Sequence, residues 1–434
     1  MDMKRSKYQR VKNLTKTRYD FPLLLSLLAL MAYSMITVFS TTYLQYEEAS
    51  LLPTLMHGAW FLVGLVLVYL MMQLDRKILF RLAPLAYFFG LVLLLLVLIF
   101  YDRGLAQASG ARSWFSIGGL TFQPSELMKL FYIMMMGRLV DDYSRDCNRM
   151  GYDEMPVRDQ VRVDWRFLLK LFAWSLPPML LIVLQNDFGT MLVFMMILIG
   201  IIFVSGISWH IILPTFLAIT LLFLVLLFLV VYDRDLLLNL GFQDYQFSRI
   251  DSWLAPFENT ASESYQLSQS IKAVGSGKMF GKGLGNFEVY VPVRESDMIF
   301  SSIAENFGFI GSSLLILLYF ILIYCMISAA FKTNDSFYVA MVAGIVTLFS
   351  FHIIENIGMT IGLLPLTGIP LPFISQGGSA LITNMMCVGL VASIRYNEDQ
   401  TERDHQQNLV IRLARKLTKE ANLERFRFIR TEEV

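Results

Sequence analysis

The residue types best suited to chemistry gather in one polar stretch, Tyr232 to Glu305, between two long apolar runs. It carries the acids Asp251, Glu258, Glu263, Glu288, Glu295 and Asp297, the bases Arg249, Lys272, Lys278, Lys282 and Arg294, and the glycine cluster GSGKMFGKGLG. An acid near cations suits general-base catalysis, which needs an ionised carboxylate within hydrogen-bond reach of a hydroxyl. Glu258 and Glu263 flank Asn259 in LAPFENTASESYQLSQS. Further on, VPVRESDMIFSSIAENFG sets Arg294, Glu295 and Asp297 before the next apolar run, with Glu305 deeper inside it. Asp297 also suits a helix cap; Glu305 lies too far in for that. The glycines serve equally well as turn formers, because the Walker spacing of a phosphate loop is missing. Loops this long are usually functional or disordered. The aromatics Trp253, Phe257, Tyr265, Phe280 and Tyr290, without any low-complexity run, indicate order here.

A second group of charges sits inside apolar sequence, where charge is costly and functional by default. In SGARSWFSIGGLTFQPSELMKL, Glu126 and Lys129 stand at i, i+3 on one helical face. Either they form an internal ion pair, or Lys129 joins Arg112 in offering positive charge to a diphosphate. Asp187, in LQNDFGT, reads as a helix N-cap or as a weak cation ligand. Glu305 is the other weak metal candidate. His352 and Glu355 form an HIIE pair that reads as buried and hydrogen-bonded rather than metal-binding. The connection LLPLTGIPLPFISQGGSAL, with three prolines and three glycines, is either an ordinary kinked reentry or a cavity wall.

The frame that positions these groups is a membrane protein. The chain has 434 residues, 56% hydrophobic and 16% charged, well below the charge of a soluble domain. Ten apolar runs approach the length of a helical span: 22–42, 55–73, 79–101, 122–138, 167–184, 188–206, 209–232, 300–329, 336–364 and 375–395. The expected fold is all-α and polytopic, with a large loop, 233–299, between spans seven and eight. Residues 1–21 form a basic leader and 396–434 a basic amphipathic tail, in which Leu409, Leu413 and Leu417 recur at helical spacing. Lys and Arg concentrate in the leader, in 73–81, in 138–170 and beyond 394, which places both termini in the cytoplasm and the long loop outside. Three scattered cysteines give no disulfide framework and four histidines no zinc spacing. Nothing points to nucleic acid.

Taken together, these segments resemble the SEDS family (shape, elongation, division, sporulation). The carrying residues are Gly110-Ala111-Arg112 with Trp114; Phe122-Gln123-Pro124-Ser125-Glu126 with Lys129; Asp187-Phe188-Gly189; and Tyr265-Gln266. The Gly275–Gly285 cluster, Asp297 with Phe300, Glu305 with Gly308, and Leu371-Pro372 with Ser375, Gly377, Gly378 and Ser379 complete the set. The likeness runs from the first span to the last. GMTIGLLPLTGIPLPFIS looks like the rod-shape branch of the family more than the division branch.

The resemblance implies a peptidoglycan glycosyltransferase that polymerises lipid II at the outer face of a bacterial cytoplasmic membrane. It also implies a class B penicillin-binding protein as partner, within the elongation or division machinery. Arg112, Lys129, Glu126, Ser375, Gly377, Gly378 and Ser379 are the expected substrate contacts. A divalent cation, Mg or Mn, is expected, and no organic cofactor. The family's acid falls here on Asn259, an amide that cannot act as a base, so Glu258 is the expected replacement, followed by Glu263 and Asp251, with Asp297 a further candidate. Two other family positions differ: Val293 and Glu295 replace a Glu and a His, and Gln376 replaces a Tyr. The rival readings are a flippase for the lipid-linked precursor and a non-catalytic scaffold.

Overall fold

The computed structural model describes residues 20–44, 50–239, 244–258 and 263–397. Residues 1–19 of the leader, 398–434 of the tail, and Asn259 lie outside the described residues. Apolar sequence in lipid must satisfy its own backbone, and it does so here as helices. In chain order they are α1 (Phe21–Phe39), α2 (Leu52–Met72), α3 (Arg76–Phe100), α4 (Arg103–Ser109), α5 (Pro124–Met150), α6 (Val157–Leu184), α7 (Phe188–Val204) and α8 (Trp209–Tyr232). The long loop contributes α9 (Arg234–Asn239), α10 (Asp244–Leu254) and α11 (Glu263–Ser276). The bundle closes with α12 (Ile299–Ala330), α13 (Ser336–Thr360) and α14 (Gly378–Asn397).

Among the described residues seven helices, α1, α2, α3, α6, α12, α13 and α14, are long and apolar enough to cross a membrane. The other three expected spans fall on α5, α7 and α8. The fourth run does not stop at 138: α5 continues to Met150, where a glycine in the left-handed region, Gly151, ends it. Its polar second half is held by ion pairs one turn apart, Arg145 with Asp141 at 2.6 Å and, more loosely, Arg138 with Asp142. Helix spacing, rather than hydropathy, sets that length.

Helix α13 is central, packing on α5, α7 and α12, while α3 lies along α5 and α12 along α1. Small residues let the helices approach closely. At Gly200 of α7 a Cβ would fall 2.0 Å from Thr347 of α13, and at Gly389 of α14 one would fall 2.9 Å from the backbone of Val68 in α2.

The expected eighth span is two helices in one. At Gly308 the backbone leaves helical geometry (φ 64°, ψ −159°), which separates a short buried segment, Ile299–Phe307, from the apolar helix that follows. A break of this kind orphans carbonyls on one side and amides on the other. The glycine cluster supplies the missing partners. The N–H groups of Lys282 and Gly283 donate to the carbonyls of Glu305 and Asn306, and those of Phe309 and Ile310 donate to the carbonyls of Lys278 and Met279. Backbone this close leaves no room for side chains: a Cβ at Gly281 would lie 2.1 Å from the Asn306 carbonyl oxygen. The glycines are therefore the splint of a broken helix. Ser40, in the π-helical turn Ser40–Leu44 that ends α1, clamps the same point by accepting from the Gly285 N–H and the Asn306 amide.

Gly281 and Gly118 both have positive φ, but nothing lies within 4 Å of a Cβ at Gly118. Gly118→Ala should therefore cost only the left-handed strain, about 1 kcal/mol. Gly281→Ala adds overpacking against α12 and should cost on the order of 3 kcal/mol. Thermal unfolding of both variants in detergent measures the difference.

Candidate active site

Two polar clusters occupy the end of the bundle from which the long loop emerges. The first is built around Glu305, whose side chain is fully buried. Its Oε2 pairs with the Arg294 guanidinium at 2.9 Å, and its Oε1 lies 3.2 Å from the Lys282 ammonium. The same Oε1 accepts from the backbone N–H groups of Glu288 and Val289, at 2.9 and 3.2 Å. Arg294 is itself buried, donates to the Val289 carbonyl and lies 4.2 Å from the Phe287 ring centroid. Lys282 also reaches Glu288 at 2.6 Å. Burial alone would lower the Lys282 ammonium, but the two glutamates hold it above its ordinary value. One carboxylate thus fastens the whole segment 282–294 to α12. With two cations and two amides around it, Glu305 is not an open metal ligand.

The second cluster runs down α13. Glu126 and Lys129, both buried, pair at 2.8 Å, and the Lys129 ammonium meets His352 Nε2 at 3.4 Å. The Glu126–Lys129 pair lies within α5, and it is His352 that ties Lys129 to a second helix. Lys129 is thus neutralised inside the bundle rather than presented at a surface. Glu355 engages Thr367, not His352. Asp187 caps α7 through the Thr190 N–H and accepts from Gln123, which places it in a helix cap and not in an ion cage.

Arg112 is exposed. It follows α4, whose N-cap Asp102 accepts from the Leu105 N–H, and it precedes a hairpin of Phe115–Ile117 with Leu120–Phe122. That hairpin turns on Gly118-Gly119, both at positive φ, as a two-residue turn requires. The Arg112 N–H is anchored on the Gln185 carbonyl and its guanidinium lies over the Tyr101 ring.

The proline- and glycine-rich connection packs on the end of the long loop. Ser375 donates to the Ser296 carbonyl and accepts from the Leu371 N–H, while the Gln376 N–H donates to the Glu295 carbonyl. Asn356 of α13 bridges the Asp297 and Ile369 carbonyls. Ser375 is thereby a tie between segments. Ser379 is buried near the start of α14, Gly378 lies against Trp60, and a Cβ at Gly377 would stand 4.0 Å from the Ala380 Cβ.

Asp297 does not cap α12; the N-cap is Met298, and no side chain caps that helix. Its carboxylate instead lies beside Gly368, where a Cβ would stand 3.5 Å from Oδ2. The residue is partly buried. Burial pushes this carboxyl up to about 7; nearby Glu295 adds to the rise and a hydrogen bond from Ser296 opposes it. Glu258 is exposed in a turn after α10, and Glu263 stands at the first position of α11. Asp251 pairs with Arg234. Among the described residues no group of three His, Cys, Asp or Glu is placed to hold a metal ion. The sequence reading missed Asn356 and Gly368 as the residues that frame Asp297; an Asn inside an apolar run was the available signal.

Glu305→Ala removes the carboxylate that pairs with buried Arg294 at 2.9 Å, so it should destabilise by about 3–5 kcal/mol. Lys282 keeps Glu288, so the double variant Arg294→Met/Glu305→Leu should recover much of that loss in thermal unfolding. A second expectation concerns Asp297. Its folded value is raised above the ordinary 3.8, so the native state holds a proton that the unfolded chain has released between pH 4 and 7. Stability falls through that window as pH rises. Asp297→Asn lacks the penalty, so its unfolding temperature should gain on the parent from pH 4 to 7 and hold that gain above.

The profile of the FtsW/RodA/SpoVE family, described as "Cell cycle protein", matches residues 21–400. Peptidoglycan glycosyltransferase MrdB of Escherichia coli (strain K12) is 29% identical over 384 residues, 87% of this chain and 94% of that protein. Stage V sporulation protein E of Bacillus subtilis (strain 168) is 30% identical over 342 residues, 77% and 85% of the two chains. Among solved structures, a chain from a peptidoglycan synthase complex aligns with TM-score 0.69 and 25% identity, over 87% of this chain and 98% of that one. The rod shape determining protein RodA of Thermus thermophilus aligns with TM-score 0.60 and 25% identity, over 87% and 96%. This multi-pass helical membrane protein belongs to the FtsW/RodA/SpoVE family of bacterial cell cycle proteins.

Proposed function

We propose that this chain is a peptidoglycan glycosyltransferase that joins lipid II units into glycan strands during cell elongation and shape control. The observation that carries this reading is the family match across nearly the whole chain, with relatives bearing that enzyme name that are matched over most of their own length. The loop end of the bundle faces outward and both termini are cytoplasmic, as the distribution of Lys and Arg supports. The substrate's lipid tails stay in the bilayer while its sugars meet the long loop.

The reaction is an inverting transfer. A loop carboxylate takes the proton from an acceptor sugar hydroxyl, the freed oxygen attacks the anomeric carbon of a second chain, and the lipid diphosphate departs with the electron pair. Positive charge favours that departure. Arg112 is suited to it, being exposed with its backbone anchored, and a planar guanidinium matches phosphate oxygens. A divalent ion, Mg or Mn, would arrive with the diphosphate. The partner in this reading is a class B penicillin-binding protein that crosslinks the product, in keeping with the structural likeness to a synthase complex.

One observation favours a second reading. Asn259 stands where the family resemblance places an acid, which suits a scaffold that recruits wall enzymes without joining sugars.

Purified protein in lipid vesicles, given lipid II, separates the two: glycan strands support the enzyme and their absence supports the scaffold. Within the enzyme reading, Arg112→Ala should lower kcat/KM roughly tenfold to a hundredfold, the weight of a charge-assisted contact. Arg112→Lys should restore part of it.

A further inference from the structure

We propose that Asp297 is the carboxylate that accepts the proton of the attacking sugar hydroxyl. The proposal rests on the glycosyltransferase reading above and deepens it.

It follows from what surrounds the loop acids Asp235, Asp251, Glu258, Glu288, Glu295, Asp297 and Glu305. A base must be ionisable, unpaired and shielded enough for its proton affinity to be matched to its task. Glu305 is enclosed by Arg294, Lys282 and two backbone amides, so its charge is fully spent. Asp251 is paired with Arg234, and Glu288 with Lys282. Asp235, Glu258 and Glu295 are exposed, with no protein packed around them to shield a proton in transfer. Asp297 differs from all of these: among the described residues no ion pair reaches its carboxylate, the residue is partly buried, and Oδ2 lies beside Gly368.

Its position is also fixed from several sides. Asn356 holds its own carbonyl, Ser375 and Gln376 hold the carbonyls of Ser296 and Glu295, and the side chain rests beside Gly368, which has none to obstruct it. Placement that rigid is what proton transfer in a transition state requires. A carboxyl titrating near neutrality is then a base of suitable strength.

In the step itself the hydroxyl O–H bond breaks and its proton passes to Asp297. The new oxygen–carbon bond forms as the bond from the anomeric carbon to the diphosphate oxygen breaks. Asp297 is then reset by releasing the proton to water.

The test compares the full-length parent, Asp297→Asn, Asp297→Glu and Glu258→Gln in vesicles with lipid II, with kcat and KM measured separately. Asp297→Asn is expected to lower kcat by about 10²–10⁴-fold with KM changed only a few-fold. Asp297→Glu, which keeps the carboxylate, is expected to recover part of kcat. The assignment is overturned if Asp297→Asn keeps the parent kcat, if its loss lies in KM alone, or if Glu258→Gln carries the kcat loss instead. A parent that makes no polymer defeats the glycosyltransferase reading as well, whereas an active parent beside an unimpaired Asp297→Asn defeats this assignment alone.

Discussion

A carboxylate with no water around it must find its counter-charges inside the protein, and Glu305 finds them in a distant part of the chain. The cost of burying an unpaired charge is several kcal/mol, larger than most single contacts in a fold. Arg294 and Lys282 answer that cost, and in doing so they draw the segment 282–294 onto the short helix Ile299–Phe307. The break at Gly308 depends on the same union, because the backbone groups that the break exposes are satisfied by residues 278–283. Charge pairing, the helix break and the glycine splint therefore stand or fall together.

This union gives the loop end of the bundle its rigidity. The platform extends through Asn356, Ser375 and Gln376 to Asp297, and through Ser40 to the end of α1. Below it, the Glu126–Lys129–His352 group keeps charge inside the bundle in neutralised form. The two clusters have different characters. The inner one is closed on itself, whereas Arg112 is exposed and Asp297 only partly buried.

Much of this was legible in the sequence for physical reasons. The apolar runs gave the helix positions because lipid demands continuous hydropathy. Asp187 was readable as a cap from its place before a helix, and Glu126 with Lys129 as a pair from their spacing. Interactions between distant segments were not legible. The expected span, 300–329, runs straight through Gly308, so the broken helix is invisible without the loop that repairs it. The i, i+3 spacing of His352 and Glu355 suggested a mutual pair, yet each turns to a partner from another segment, Lys129 and Thr367. The length of α5 was missed because its ion pairs, not its hydropathy, carry it past 138. Asp297 looked like a cap because Asp commonly caps helices; the connection that packs beside it, at Gly368, could not be foreseen from spacing.

The central claim is that one buried carboxylate holds the long loop against α12 as a fixed platform. Hydrogen exchange resolved to single amides tests it most directly, read at Lys282, Gly283, Glu288 and Val289 in the parent and in Glu305→Gln. The account predicts slow exchange at all four amides in the parent and a joint acceleration in the variant. Fast exchange in the parent, or four amides unchanged by the substitution, would contradict it.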